Sequence, residues 1–146
     1  MKKSQEFLYL DQQLCFKLYL ASKTVTQAYG PMLKTLGLTY PQYLVMLVLW
    51  EAEPMSVKEL GARLHLDSGT LSPLLKKLQD KKIVEKVRSR EDERSVVISL
   101  TVGGKKLKEK AFSVQTNIRQ EICLDDPNLM QLMTMLDSFT AGFHEK

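Results

Sequence analysis

The sequence predicts a mainly α-helical fold with a small β-wing, a winged helix-turn-helix, and three observations carry that expectation. Residues 56–101 read as two short helices around a tight turn, followed by a hairpin. The basic residues concentrate in that same stretch. Both ends of the chain carry helical segments with more apolar surface than one small domain can cover.

Ser56 followed by Glu59 is a capping box, so a helix starts there. Val57, Leu60 and Leu64 give it one apolar face. His65 and Leu66 make the turn, and Asp67 is suited to cap the next helix. That helix gathers Leu71, Leu74, Leu75 and Leu78 on one side and Gly69, Ser72 and Lys76 on the other, flanked by Ser68, Thr70 and Lys77. A polar face of hydroxyls and lysines suits a helix laid in a DNA major groove. Pro73 would remove an internal hydrogen bond, which predicts a late start or a bent first turn. Two β-branched runs follow, with Val84 and Val87 in the first and Val96, Ile98 and Leu100 in the second. Between them lies a charged tip, Arg88-Ser89-Arg90-Glu91-Asp92-Glu93-Arg94, too polar to bury. By itself such a tip is usually a solvated turn. Directly after a helix-turn-helix it reads as a wing, spanning about residues 84–100.

The net charge of +4 is unevenly spread. Residues 76–110 hold twelve Lys and Arg against six Asp and Glu, leaving −2 for the remainder. A basic patch that coincides with a groove-sized helix can neutralise phosphates and supply the salt-dependent part of DNA affinity. No run of about eighteen apolar residues occurs, so no membrane span is expected. No signal peptide is evident at Met1–Glu6, and a cytoplasmic location is expected.

Elsewhere the chain reads as helices. Residues 5–29 form a long apolar stripe that Gly30-Pro31 should break, with a short helical piece closing at Gly37. Thr39 and Gln42 form a second capping box, with Pro41 in the first turn of a mostly apolar helix that centres the core and ends before Pro54. Trp50 belongs to that core. Thr101 can cap a helix to about Cys123, weakened at its start by Gly103-Gly104. Asp125-Asp126-Pro127 opens a last helix whose apolar face runs from Leu129 through Leu132, Met133, Leu136 and Phe139 to Phe143. Residues 5–36 and 102–146 are expected to form a dimer interface around a DNA-binding lobe at 39–101. A two-fold dimer would offer two recognition helices to a pseudo-palindromic operator in double-stranded DNA.

The two cysteines lie 108 positions apart, with no CxxC and no ligand spacing to His65 or His144, so neither a zinc site nor any other metal or cofactor is expected. The two histidines read as surface residues. Alone among apolar helical positions, Cys15 would be a packed small hydrophobe. Tyr19, one turn away, could donate to its thiolate, the form that attacks peroxides, whereas Asp11 on the other side would oppose that form.

Several of these segments resemble one family. Asp92-Glu93-Arg94-Ser95-Val96-Val97-Ile98-Ser99-Leu100-Thr101 resembles the wing of MarR-family bacterial regulators. Asp67 to Lys76 resembles the recognition helix of the OhrR-like organic-hydroperoxide sensors within that family, and Gln13-Leu14-Cys15-Phe16 resembles their reactive-cysteine segment. The resemblance implies a MarR-like homodimeric repressor joined by its terminal helices, not an enzyme. It also implies a sensor thiol at Cys15, activated by Tyr29 and Tyr40 from the partner subunit with Tyr19 nearby. On the DNA side it implies an Arg94 that enters the minor groove braced by Asp92. Oxidised Cys15 would condense with Cys123 of the other chain or with a low-molecular-weight thiol, and Cys123 could equally be an inert buried residue. Three other functions stay open on the residues: a MarR-type repressor gated by a small phenolic ligand, a thiol peroxidase using both cysteines, and an architectural DNA binder without a switch.

Overall fold

The computed structural model describes residues 7–144. The expected helix start at residue 5 and the side chain of His144 lie outside the described residues. A 3-10 turn at Leu10–Gln12 leads into α1 (Leu14–Leu36). Then come α2 (Tyr40–Glu51), β1 (Met55–Ser56), α3 (Val57–Leu64), α4 (Ser68–Asp80), β2 (Val84–Arg88), β3 (Val96–Leu100), α5 (Val102–Glu121) and α6 (Asp126–His144). The three strands form one antiparallel sheet in the order β1-β3-β2. This is a winged helix-turn-helix with long helices before and after it.

The caps read from the sequence form as expected. Thr39–Gln42 and Ser56–Glu59 close both halves of their capping boxes. Asp67 accepts from the Thr70 N–H at 2.7 Å, and Thr101 from the Gly104 N–H at 3.1 Å. His65 ends α3 in the left-handed conformation, and the N–H of Leu66 returns to the Gly61 carbonyl at 3.0 Å. A Cβ on Gly61 would stand 2.7 Å from the Leu66 carbonyl oxygen, so the tight turn between α3 and α4 requires glycine there.

Four expectations need correction. First, α1 does not begin near residue 5. The Gln13 side-chain amide donates to the carbonyls of Phe7 and Tyr9, which folds residues 7–12 back outside the helix. Cys15 consequently sits in the first turn of α1 and not in mid-helix. Second, Gly30-Pro31 does not break the helix, which runs on to a left-handed cap at Gly37. Gly30 has no Cβ to crowd the proline ring, and Leu33 and Leu36 anchor the last turns in the core. Third, α4 starts at Ser68 and carries Pro73 inside it. Burial of Leu71, Leu75 and Leu78 anchors it, so the late start is not seen, while Pro73 and Gly69 lie on the exposed side, where water can meet the freed carbonyl. Fourth, β1 is a third strand the pattern does not announce: two residues, paired Met55 with Ile98 and Ser56 with Val97.

The core centres on α2, with Tyr43, Val45, Met46 and Leu49 fully buried among Leu33, Leu60, Leu71, Leu75, Leu78 and Ile98. Trp50 is buried as expected, and its indole N–H donates to the Gly104 carbonyl at 2.9 Å. Lys108 returns the tie to the Trp50 carbonyl at 2.8 Å, so α5 is bolted to α2 at the edge of the lobe. The two ends of the chain contrast with this core. None of the described side chains of α6 is buried, though Leu132, Met133, Leu136 and Phe143 are apolar and exposed, and Leu14, Tyr19 and Leu20 on α1 are exposed likewise. No single helix among the described residues is long and apolar enough to cross a membrane.

Candidate DNA-binding face and sensor thiol

One exposed face of the lobe gathers the residues singled out for DNA. Ser68, Thr70, Ser72, Lys76 and Lys77 all lie on the solvent side of α4, opposite its buried leucines. Lys76 is partly engaged, since its ammonium pairs with Asp80 one turn on at 2.7 Å. That exposed pair is worth little and leaves the lysine free to swing to a phosphate.

The wing is a registered hairpin, Val84 opposite Leu100 through Arg88 opposite Val96. Its tip is tied by its own polar atoms. Ser89 N–H donates to Ser95 O at 2.9 Å, Ser95 N–H to Asp92 O at 2.9 Å, and the Ser89 hydroxyl accepts from the N–H of Glu91 and of Asp92. Asp92 does brace Arg94, but through the main chain: its carboxylate accepts from the Arg94 N–H at 3.0 Å. No guanidinium–carboxylate pair between the two occurs among the described residues. Arg88, Arg90 and Arg94 are exposed.

Glu53, which the sequence did not single out, anchors the wing's base. Its carboxylate accepts from the Leu100 N–H and from the Ser99 hydroxyl at 3.0 Å, and pairs with Lys105 at 3.1 Å. One carboxylate thus joins the end of α2 to β3 and to the start of α5. Burial alone would push its ionisation up, but the Leu100 N–H, Lys105 and Ser99 outweigh burial and hold it below the usual range. A depressed carboxyl contributes stability that is complete above its unfolded pKa of about 4.3 and is lost as pH falls through the lower folded value. Glu53→Gln should therefore lower the melting temperature at neutral pH and shrink the gap to wild type as the pH drops below about 4, as thermal melts across pH 3–7 would record.

The sulfur and its expected phenols are separated within one chain. Cys15 is an exposed free thiol in the first turn of α1. Gln13, at the cap position, makes no side-chain cap bond there. Tyr19 is exposed one turn further on, with the Lys23 ammonium 5.9 Å above its ring. Tyr29 and Tyr40 do come together, with ring centroids 5.0 Å apart. Cys15 is not with them: fourteen residues of helix put Tyr29 about 21 Å further along α1. Tyr43 extends the cluster, 5.8 Å from Tyr29 and 6.2 Å from Trp50, and its hydroxyl accepts from the Gln115 amide at 2.7 Å. Tyr43 lies one turn after Tyr40, a spacing visible in the sequence. Gln115, 72 positions from Tyr43, gives no such signal.

Cys123 is likewise an exposed free thiol, in the link just after α5 and not buried. Lys81 donates to Gly37 at the end of α1, and Trp50 to Gly104 at the start of α5. Both junctions belong to the lobe, so Cys15 and Cys123 sit at the opposite, outer ends of their helices. Among the described residues no three His, Cys, Asp or Glu side chains gather as a metal site would need.

A major-groove-sized polar helix, a basic wing and terminal helices with exposed apolar faces define a winged-helix transcriptional regulator. The chain belongs to the SarA/Rot family of transcriptional regulators, whose profile matches residues 27–111. It is 43% identical over its full length, and over 99% of the relative's, to the organic hydroperoxide resistance transcriptional regulator of Bacillus subtilis. Reduced AbfR of Staphylococcus epidermidis, solved bound to DNA, superposes over 98% of this chain and 99% of that one with 34% identity and a TM-score of 0.77. AbfR in its disulfide form covers 95% of this chain and 98% of its own with 35% identity, and its TM-score falls to 0.66. The fold is also that of apo MarR from Escherichia coli, at 24% identity over 87% of this chain and 96% of that one, with a TM-score of 0.71.

Proposed function

We propose that this chain is a cytoplasmic homodimeric repressor that binds a pseudo-palindromic operator while reduced and releases it when an organic hydroperoxide oxidises Cys15. The observation that carries this reading is the separation of Cys15, at the start of α1, from Tyr29 far along the same helix and from Tyr40 at the start of α2. Donors that far off can serve the thiolate only from a second chain, and the exposed apolar faces of α1 and α6 supply the surface for one. Residues 102–146 and the first helix are then the dimerisation elements, and residues 39–101 the DNA-binding lobe.

The chemistry needs two steps. The Cys15 thiolate attacks the terminal peroxide oxygen, the O–O bond breaks, and sulfenic acid and an alcohol form once the leaving alkoxide takes a proton. A second thiol then displaces water to give a disulfide. AbfR has been solved bound to DNA both reduced and overoxidised, with TM-scores to this chain of 0.77 and 0.75 against 0.66 for its disulfide form. The disulfide is the state that departs from this shape, which favours a second thiol as the trigger of release. Cys123 of the partner subunit is our choice for it, because both cysteines are exposed at the same end of the α1–α5 layer. A small thiol is the alternative.

For the phenolic-ligand rival, the groove between α2 and α5 lined by Tyr43, Leu47, Trp50 and Phe112 among others holds about 260 Å³. That is below the range of about 300–1,000 Å³ usual for such ligands. The test is operator binding and non-reducing electrophoresis on the same cumene hydroperoxide titration. Stoichiometric loss of binding, in step with a covalent dimer and reversed by dithiothreitol, is expected. Operator binding that ignores the oxidant would sink the sensor reading, and multiple turnovers with a reductant would favour the peroxidase.

A further inference from the structure

Gln115 stands on the exposed side of α5, yet its amide meets a phenol from α2. Its Nε2–H donates to the Tyr43 hydroxyl at 2.7 Å. Tyr43 in turn packs against Tyr29, with ring centroids 5.8 Å apart. Burial does most to push the Tyr29 phenol's ionisation up, helped by Tyr40 and Tyr43, while a hydrogen bond from Gln115 opposes them. The rings make one contiguous stack, Tyr40 against Tyr29 and Tyr29 against Tyr43. Packing alone would be served by phenylalanine at position 43, since that ring is wholly buried. The hydroxyl matters only as something for α5 to hold.

We propose that Gln115 is a positioning residue of the sensor: from α5 it fixes the Tyr43 phenol and, through the packed rings, Tyr29, so that Tyr29 meets Cys15 of the partner subunit in one orientation. This rests on the reading given above. Neither Gln115 nor Tyr43 touches the sulfur in that arrangement. Each acts through Tyr29, whose ring would otherwise be free to turn its hydroxyl away. The remaining charged groups lining this groove are Glu51 and Lys108, and Lys108 is engaged by the Trp50 carbonyl. Through Gln115 the sensor phenols are tied to the same helix whose first turn is bolted to the lobe by Trp50.

The test compares the wild-type full chain with Gln115→Leu, Tyr43→Phe, Tyr29→Phe and the Tyr29→Phe/Gln115→Leu pair, all reduced at the start. Losing a hydrogen bond that supports a charged group should slow sulfenic acid formation with cumene hydroperoxide roughly tenfold in Gln115→Leu. The pH profile of Cys15 alkylation by iodoacetamide should move to higher pH, a readout that a merely structural role would leave in place. Operator binding by the reduced variant should stay as in wild type, and the double variant should be no slower than Tyr29→Phe alone. Wild-type oxidation rates and pH profiles in both Gln115→Leu and Tyr43→Phe, with Cys15→Ser inert to oxidant, would overturn the role of Gln115 and leave the sensor standing. Normal oxidant release by Cys15→Ser would remove the sensor, and this role with it.

Discussion

Cys15→Ser is expected to bind the operator as tightly as the reduced wild type and to stay bound at any dose of cumene hydroperoxide. Serine is nearly isosteric with cysteine, and position 15 is an exposed first-turn site on α1, so neither the helix nor the lobe should notice the change. What disappears is the nucleophile. A hydroxyl at neutral pH is not ionised and does not open a peroxide bond. Allosteric coupling of ordinary size would cost the oxidised wild type about 5- to 150-fold in affinity, and the variant should show none of it. Fluorescence anisotropy on one promoter duplex, with and without oxidant, measures both numbers. Full release by the serine variant would transfer the switch to Cys123 or to a bound ligand. The companion change Cys123→Ser separates the two routes to a disulfide: it should slow or block release if Cys123 resolves the sulfenic acid, and change nothing if a small thiol does.

Local physics was legible in this sequence and long-range pairing was not. The caps at Thr39, Ser56, Asp67 and Thr101 can be read because each bond spans three residues. The leucine faces of α3 and α4 and the β-branched wing follow from periodicity for the same reason. Several failures involve a partner far away in the chain, whereas the late start of α1 comes from local bonds of Gln13 to Phe7 and Tyr9. Met55–Ser56 is too short to show a period and becomes a strand only because β3, more than forty residues on, pairs with it. Pro31 and Pro73 look like breakers until buried leucines on the same helices outweigh one lost hydrogen bond each. Within the site, the roles of Cys15, Tyr29, Tyr40 and Arg94 came through resemblance, while the basic wing itself was read from the hairpin that follows the helix-turn-helix. Glu53 and Gln115 were missed because their acceptors and donors sit on other elements. The start of α1 was the costliest miss, because it moved Cys15 from an apolar mid-helix setting to the exposed first turn of the helix.

Arg94→Ala should weaken operator binding by about 1–3 kcal/mol for each wing, close to 5- to 150-fold per half-site, provided the guanidinium enters the groove. The wing tip is built to present this side chain. Five hydrogen bonds inside residues 89–95 fix the turn without using a guanidinium, and Asp92 holds the Arg94 backbone, which leaves its charge exposed for a ligand. The alanine variant keeps the backbone N–H that Asp92 grips, so the turn should survive, and its melting temperature should match wild type. Arg94→Lys is the informative control. A lysine retains the charge but not the planar fork, so a full rescue would mean that Arg94 touches only phosphate. In that case the slope of log K against log salt should drop by about one per wing in Arg94→Ala and be restored in Arg94→Lys. A groove contact predicts a different pattern: poor rescue by lysine, and a loss of discrimination between A·T-rich and G·C-rich flanks of the operator. Asp92→Ala should reproduce part of the loss with Arg94 still present, since it frees the residue that carries the charge. Unchanged affinity in Arg94→Ala at physiological salt would take the wing out of DNA recognition and leave α4 to account for it alone.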